Sequence, residues 1–148
     1  MKKMFTMALL TLSLGTASAV ELGAGYSRDI TNDVNGYGIS LGQSWNKFSL
    51  TASAEQFDVR GGTQDQLSVV AGYQVFKVMG VAVEAQAGAI YITSDAAKDG
   101  LTSVVGLGTS VPLTKHISLT SDVRRTIGTG DMKAHDSTTV GVGLRYHF

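Results

Sequence analysis

Six ionisable side chains have the types and spacing to do chemistry away from the loops of this chain: Glu21, Glu55, Glu84, Asp122, Arg124 and Arg145. Each occupies the polar parity of a segment in which apolar and polar residues alternate, so each faces away from the large apolar side chains of its own segment. Carboxylates set against guanidiniums can close into bidentate ion pairs, or guide an ion if those pairs rearrange. By depth along their segments they sort into two clusters, Glu21 with Glu84 and Arg145, and Glu55 with Asp122 and Arg124. Pairing that fills the interior is the expected use, because an unpartnered charge in a poorly hydrated space is costly. His135, Asp136 and Ser137 carry the residue types of a nucleophile, base and orienter, but consecutive residues on one segment do not converge. His147 reads as a hydrogen-bonding filler. With no metal-spaced histidine cluster and no phosphate-binding loop, no catalytic residue, metal or cofactor is expected.

The elements that position these residues follow from the period of two. Eight segments alternate, over roughly 20–28, 34–43, 47–57, 66–76, 80–93, 101–111, 116–126 and 137–148, lengths that suit strands crossing a bilayer at a tilt. One face of each is greasy: Leu22 and Tyr26, Tyr37 and Ile39, Leu50, Leu67 and Val69, Val83 and Tyr91, Val105 and Leu107, Leu119 and Val123, Val142 and Leu144. The other face carries Gly, Ser, Thr, Gln and the six charges. Glycine is a poor exposed strand face and a good lining for a narrow interior. The 18 glycines, the single proline, Pro112, and the absence of cysteine fit a fold closed by pairing every strand edge rather than by disulfides. The expected fold class is all-β, an eight-stranded antiparallel up-and-down transmembrane β-barrel, lipid-facing outside and polar inside.

The amino-terminal residues read as an export signal. Lys2 and Lys3 precede an apolar stretch from Met4 to Leu14, and Ala17, Ser18 and Ala19 form an A-x-A cleavage site. The expected division is a signal peptide over 1–19 and a barrel over 20–148. Removing the two lysines leaves ten basic against twelve acidic side chains, too even a balance to favour nucleic acid.

Connection lengths set the orientation. Breaks near 44–46, 77–79 and 112–115 are tight and border Lys47, Lys77 and Lys115; those near 29–33, 58–65, 94–100 and 127–136 are longer and hold paired aspartates. Short turns on the periplasmic side and longer loops outside are the expected arrangement, with both termini periplasmic. The aspartates read as loop chemistry, with contact to phosphorylated outer-leaflet lipid as the sharper alternative.

Over 20–148 the pattern resembles the small eight-stranded bacterial outer-membrane barrels typified by the OmpA transmembrane domain and the OmpX and Ail group. The likeness rests on the signal segment, the strand count, the loop asymmetry, the charged interior and the ending Leu144-Arg145-Tyr146-His147-Phe148. It implies that Tyr146 and Phe148 form the terminal signal read by the barrel-assembly machinery. It further implies periplasmic chaperones, outer-membrane lipid and lipopolysaccharide as partners of a monomer. Lipid A deacylases of the PagL type use a His-x-Ser arrangement that His116, Ile117 and Ser118 match superficially, without the surrounding motif and at the periplasmic end. The functional expectation is therefore a non-enzymatic barrel with a structural or surface-interaction role, ahead of a small channel and a lipid A-modifying enzyme.

Overall fold

The structure, a computed structural model, describes residues 19–95 and 98–148, the side chain of Ala134 excepted. The expected signal peptide lies outside the described residues apart from Ala19, which opens the first strand opposite Ser44; Ala17 falls outside them.

Eight strands, β1 (Ala19–Asp29), β2 (Val34–Trp45), β3 (Phe48–Val59), β4 (Gly62–Val78), β5 (Val81–Ser94), β6 (Gly100–Pro112), β7 (Ile117–Ile127) and β8 (Ser137–His147), pair in sequence order. Every ladder is antiparallel, and β8 returns to β1 to close the barrel. The ladder partners run Ala19, Ser44, Ser49, Gly72, Gln86, Gly106, Arg124 and Thr139, and arrive back on β1 at Asp29, ten residues further along. A shear of ten on eight strands tilts them by about 40° and sets a backbone radius of about 8 Å. An eleven-residue strand at that tilt rises about 28 Å, the height of a bilayer's apolar core.

The outer surface follows the expected parity, with Leu22, Ile39, Val69, Val105, Leu107, Val123, Val142 and Leu144 all exposed on it. Tyr26, Tyr37 and Tyr91 border this belt toward the longer loops, and Phe48, Tyr73, Phe76, Tyr146 and Phe148 toward the short turns. Phe48 packs on Tyr73, and Tyr146 meets Phe148 edge to face, with ring centroids 5.0 Å apart in both pairs. Near the loops the same face turns polar. Tyr26 Oη donates to Asn35, Tyr37 Oη to Gln56, and Gln56 to Asp65.

Three local features differ from the sequence reading. The break expected over 58–65 is a two-residue turn at Arg60 and Gly61, and Asp58 and Asp65 are strand residues opposite Thr63 and Gln56. Gly61, at φ 95°, makes the tight reversal, and strand that emerges into water no longer needs an apolar face, so its polar composition resembled a loop. In β4 the register shifts between Gln74 and Phe76. The extra residue, Val75, reverses the parity beyond it, which lets Phe76 and Val78 join the outer face. Finally, the connection after β7 folds a short 3-10 helix, Gly130–His135, against the end of β6.

Candidate functional site: the barrel interior

All six expected charges face the interior, and the structure brings five of them into ion pairs. On the loop side, Arg124 reaches across from β7 to β3 and donates to both oxygens of Glu55 at 2.8 and 3.1 Å. Its Nε lies 2.6 Å from Asp122 Oδ2, two residues back on the same strand. That contact is a close ion pair without hydrogen-bond geometry. The side chains of Arg124 and Glu55 are only 11 % and 13 % exposed.

On the turn side, Arg145 donates to Glu21 Oε2 at 2.9 Å, and Ser44 Oγ donates to Oε1 of the same carboxylate. Glu84 does not join this cluster. It accepts from Ser49 Oγ at 2.9 Å and from Gln86 Nε2 at 3.3 Å, and makes no ion pair among the described residues. A Cβ on Gly72 would collide with this carboxylate, so the glycine makes room for Glu84 on the β4 wall, away from Arg145 on β8.

Around Glu21 the interior also assembles an arrangement that the sequence does not announce. Ser118 Oγ lies 2.8 Å from His147 Nε2, and His147 Nδ1 lies 3.3 Å from Glu21 Oε1. Serine, imidazole and carboxylate in that order are the parts of a nucleophilic relay. The second contact lacks hydrogen-bond geometry, however, Glu21 is already engaged by Arg145 and Ser44, and Ser118 is buried outside the lining of the interior cavity. The arrangement satisfies buried polar groups without presenting a nucleophile to a substrate-sized space. His116, the other half of the His-x-Ser pair, points elsewhere: its ring stacks on Tyr146 and its Nδ1 contacts the His147 carbonyl. His135 is buried against the Lys98 carbonyl, and Asp136 receives the Gly128 N–H, so both serve the loop, while Ser137 opens β8 opposite Thr126.

The expectation of an interior carrying only small, polar and charged residues is overturned on the loop side. Phe57, Ile90, Ile92 and Val104 are 1–2 % exposed and point inward, with Val70 packed against the three aliphatic residues. Phe57 lies over Gly36, where a Cβ would strike its ring. The sequence signal for this layer is a run of apolar residues at both parities, in Val69-Val70, Ile90-Tyr91-Ile92 and Val104-Val105. The outer surface takes one member of each run and the interior takes the other. Between this layer and the turn-side charges lies a cavity of about 100 Å³, lined by Thr51, Ser53, Glu84, Gln86, Asp122 and Arg145 among others. It has room for roughly three waters.

No protein-family model and no curated protein matches the chain. Solved structures do. The amino-terminal β-barrel domain of Pseudomonas aeruginosa OprF matches at 19 % identity and a TM-score of 0.71, over 89 % of this chain and 98 % of that one. The outer membrane protein Ail of Yersinia pestis matches at 13 % and 0.59, over 88 % and 99 %. A de novo designed transmembrane β-barrel matches at 10 % and 0.68, over 90 % and 98 %. The fold is that of the small eight-stranded outer-membrane barrels. A designed chain scores above Ail, so this likeness is one of fold alone.

Proposed function

We propose that this chain is a non-enzymatic integral protein of a bacterial outer membrane, with a structural or surface-interaction role and a lumen closed to steady ion flow. The observation that carries the reading is the pairing of a continuous apolar outer belt with an interior that holds, on the loop side, a buried layer of Phe57, Ile90, Ile92 and Val104. In this reading residues 1–19 are an export signal removed after Ala19, and 20–148 form the barrel. The short turns and both termini are periplasmic, and the longer loops face outward. The partners are lipopolysaccharide and the other lipids of that membrane, with periplasmic chaperones and the barrel-assembly machinery during biogenesis. Tyr146 and Phe148 are the proposed assembly contacts. Phe148 donates its N–H to the Val20 carbonyl beside the β1–β8 closure, so the recognised residue would lie at the seam that closes last. The chain works as a monomer without a cofactor.

The test is fractionation and electrophoresis. The folded protein should be recovered with outer membranes and migrate differently before and after heating, because a closed barrel resists detergent until it is melted. Recovery solely as a soluble periplasmic protein overturns the reading. The cavity gives the small-channel reading its one specific support, and single-channel recording separates the two: steady wild-type conductance would put the channel first.

A further inference from the structure

The two halves of the interior differ in access. On the loop side, Ser27, Asp29, Phe57, Gln66, Ser68, Ile90, Ile92, Thr102, Val104 and Arg124 are all buried. On the turn side, the side chains of Ser49, Thr51, Glu84, Gln86, Thr120, Arg145 and His147 all retain partial exposure, while Glu21, Ser118 and the glycines Gly23, Gly42, Gly72 and Gly108 are buried. The cavity runs from Glu84 and Arg145 of the second group up to Glu55, Val70 and Arg124, beneath the buried aliphatic layer. At the loop mouth, a Cβ on Gly100 would strike Met132 of the 3-10 helix, so the last loop is seated against the rim.

We propose that the interior is a one-sided vestibule. Water and small cations enter it from the turn end, and an apolar septum of Phe57, Ile90, Ile92 and Val104, not the ion pairs, closes it toward the loops. This deepens the closed-lumen reading and rests on it. Two physical points assign the seal to the septum. A charged, hydrogen-bonding lining keeps water, whereas a narrow apolar constriction expels it and stops ions by dewetting. The Arg124 pair sits at the inner edge of the septum, where a hydrated gap could form around it if the aliphatic layer were absent. The preference for cations follows from charge. Below the septum four carboxylates, Glu21, Glu55, Glu84 and Asp122, face two guanidiniums, and Glu84 lines the cavity with only neutral donors on it.

The chain has no cysteine, so single cysteines can report access directly. The full barrel, inserted in planar bilayers, would carry Thr51→Cys in the vestibule or Thr102→Cys within the septum, opposite Ile90. Lys98→Cys and Lys115→Cys would mark the loop and turn sides. The probes are a small cationic and a small anionic methanethiosulfonate. Thr51→Cys should be modified from the turn side only, and faster by the cationic reagent, while Thr102→Cys stays unmodified from either side. Adding Ile90→Ser and Ile92→Ser should open Thr51→Cys to the loop side and produce steady current. Arg124→Gln should do neither. Modification of Thr51→Cys from both sides without the serine changes, or current in Arg124→Gln with an intact septum, overturns the proposal. A septum variant that fails to fold is replaced by Ile92→Thr, which keeps the β-branch and replaces the ethyl arm with a hydroxyl; side-restricted labelling there should weaken in the same direction. A protein that never inserts defeats the membrane reading itself, whereas an inserted barrel labelled from both sides defeats the septum alone.

Discussion

The loop-side and turn-side halves of the interior are built from the same eight strands and solve different problems. The loop-side half is the more tightly filled: an arginine held by two carboxylates on one wall, aliphatic residues and a phenylalanine on the other, and buried serine and threonine between them. The turn-side half accommodates water around Glu84, Gln86, Thr51 and Arg145. In a barrel of fixed shear the available radius is the same at both levels, so the difference lies in side-chain volume. Glycines at 23, 25, 72, 106, 108, 141 and 143 line the open half, and Phe57 and Ile92 fill the closed one. In the proposed vestibule, closure is thus a property of one layer, and charge in the rest of the lumen could vary without opening it.

Arg124→Ala tests the closed half most severely. The substitution leaves Glu55 and Asp122 facing each other's field in a poorly hydrated space. Breaking a buried pair by removing one partner costs about 3–5 kcal/mol, and the interior burial of Arg124 and Glu55 supports the full range. Denaturant unfolding of the purified barrel should show this loss. A change near zero would mean that water already reaches Glu55 and that the two halves do not differ in the way described.

Ile92→Ala probes the other wall of the same layer. Truncating a fully buried isoleucine removes transfer energy and leaves a cavity, for a loss of about 2–4 kcal/mol. Double substitution with Arg124→Ala sharpens the comparison: if septum and ion pair form one packed unit, the combined loss departs from the sum, and if they act separately it does not.

The difference between these halves also marks where the sequence stopped being legible. Alternation locates all eight strands, because parity is forced wherever one face must be apolar and the other must fit a narrow interior. It places Glu55, Asp122 and Arg124 on one side, and Glu21 and Arg145 on another level, since depth follows from counting residues from the turns. Three things escape it. Runs such as Ile90-Tyr91-Ile92 satisfy both parities, so the pattern cannot say that the interior has an apolar layer. The Val75 bulge changes parity in mid-strand, and no composition rule marks it. Around the circumference, depth alone does not decide neighbours: Glu84 and Arg145 are at similar height on β5 and β8, three ladders apart through β6 and β7 and five apart going back through β1. Only the register shows that Arg145 meets Glu21 instead.

Glu84→Gln should have the smallest effect of the interior charge changes, and it separates the open half from the closed one most directly. Glu84 has no cationic partner among the described residues; in glutamine the amide oxygen can still accept from Gln86 Nε2, and the amide NH2 can donate to Ser49 Oγ, whose hydroxyl turns from donor to acceptor. The carboxylate is partly exposed to the vestibule, so neither the desolvation cost relieved nor the hydrogen bonding lost is large. The expected change in unfolding free energy is within about 0.5 kcal/mol, the range of substitutions away from buried networks. Were Glu84 instead bound to Arg145 in a buried pair, neutralising it would strand the guanidinium and cost several times more. Measuring Glu84→Gln beside Glu21→Gln makes the distinction internal to one experiment: Glu21 holds Arg145 and Ser44 and is buried, so its neutralisation should destabilise the barrel clearly more. Equal losses for the two would return Glu84 to the turn-side ion pair and reduce the vestibule to a second plug.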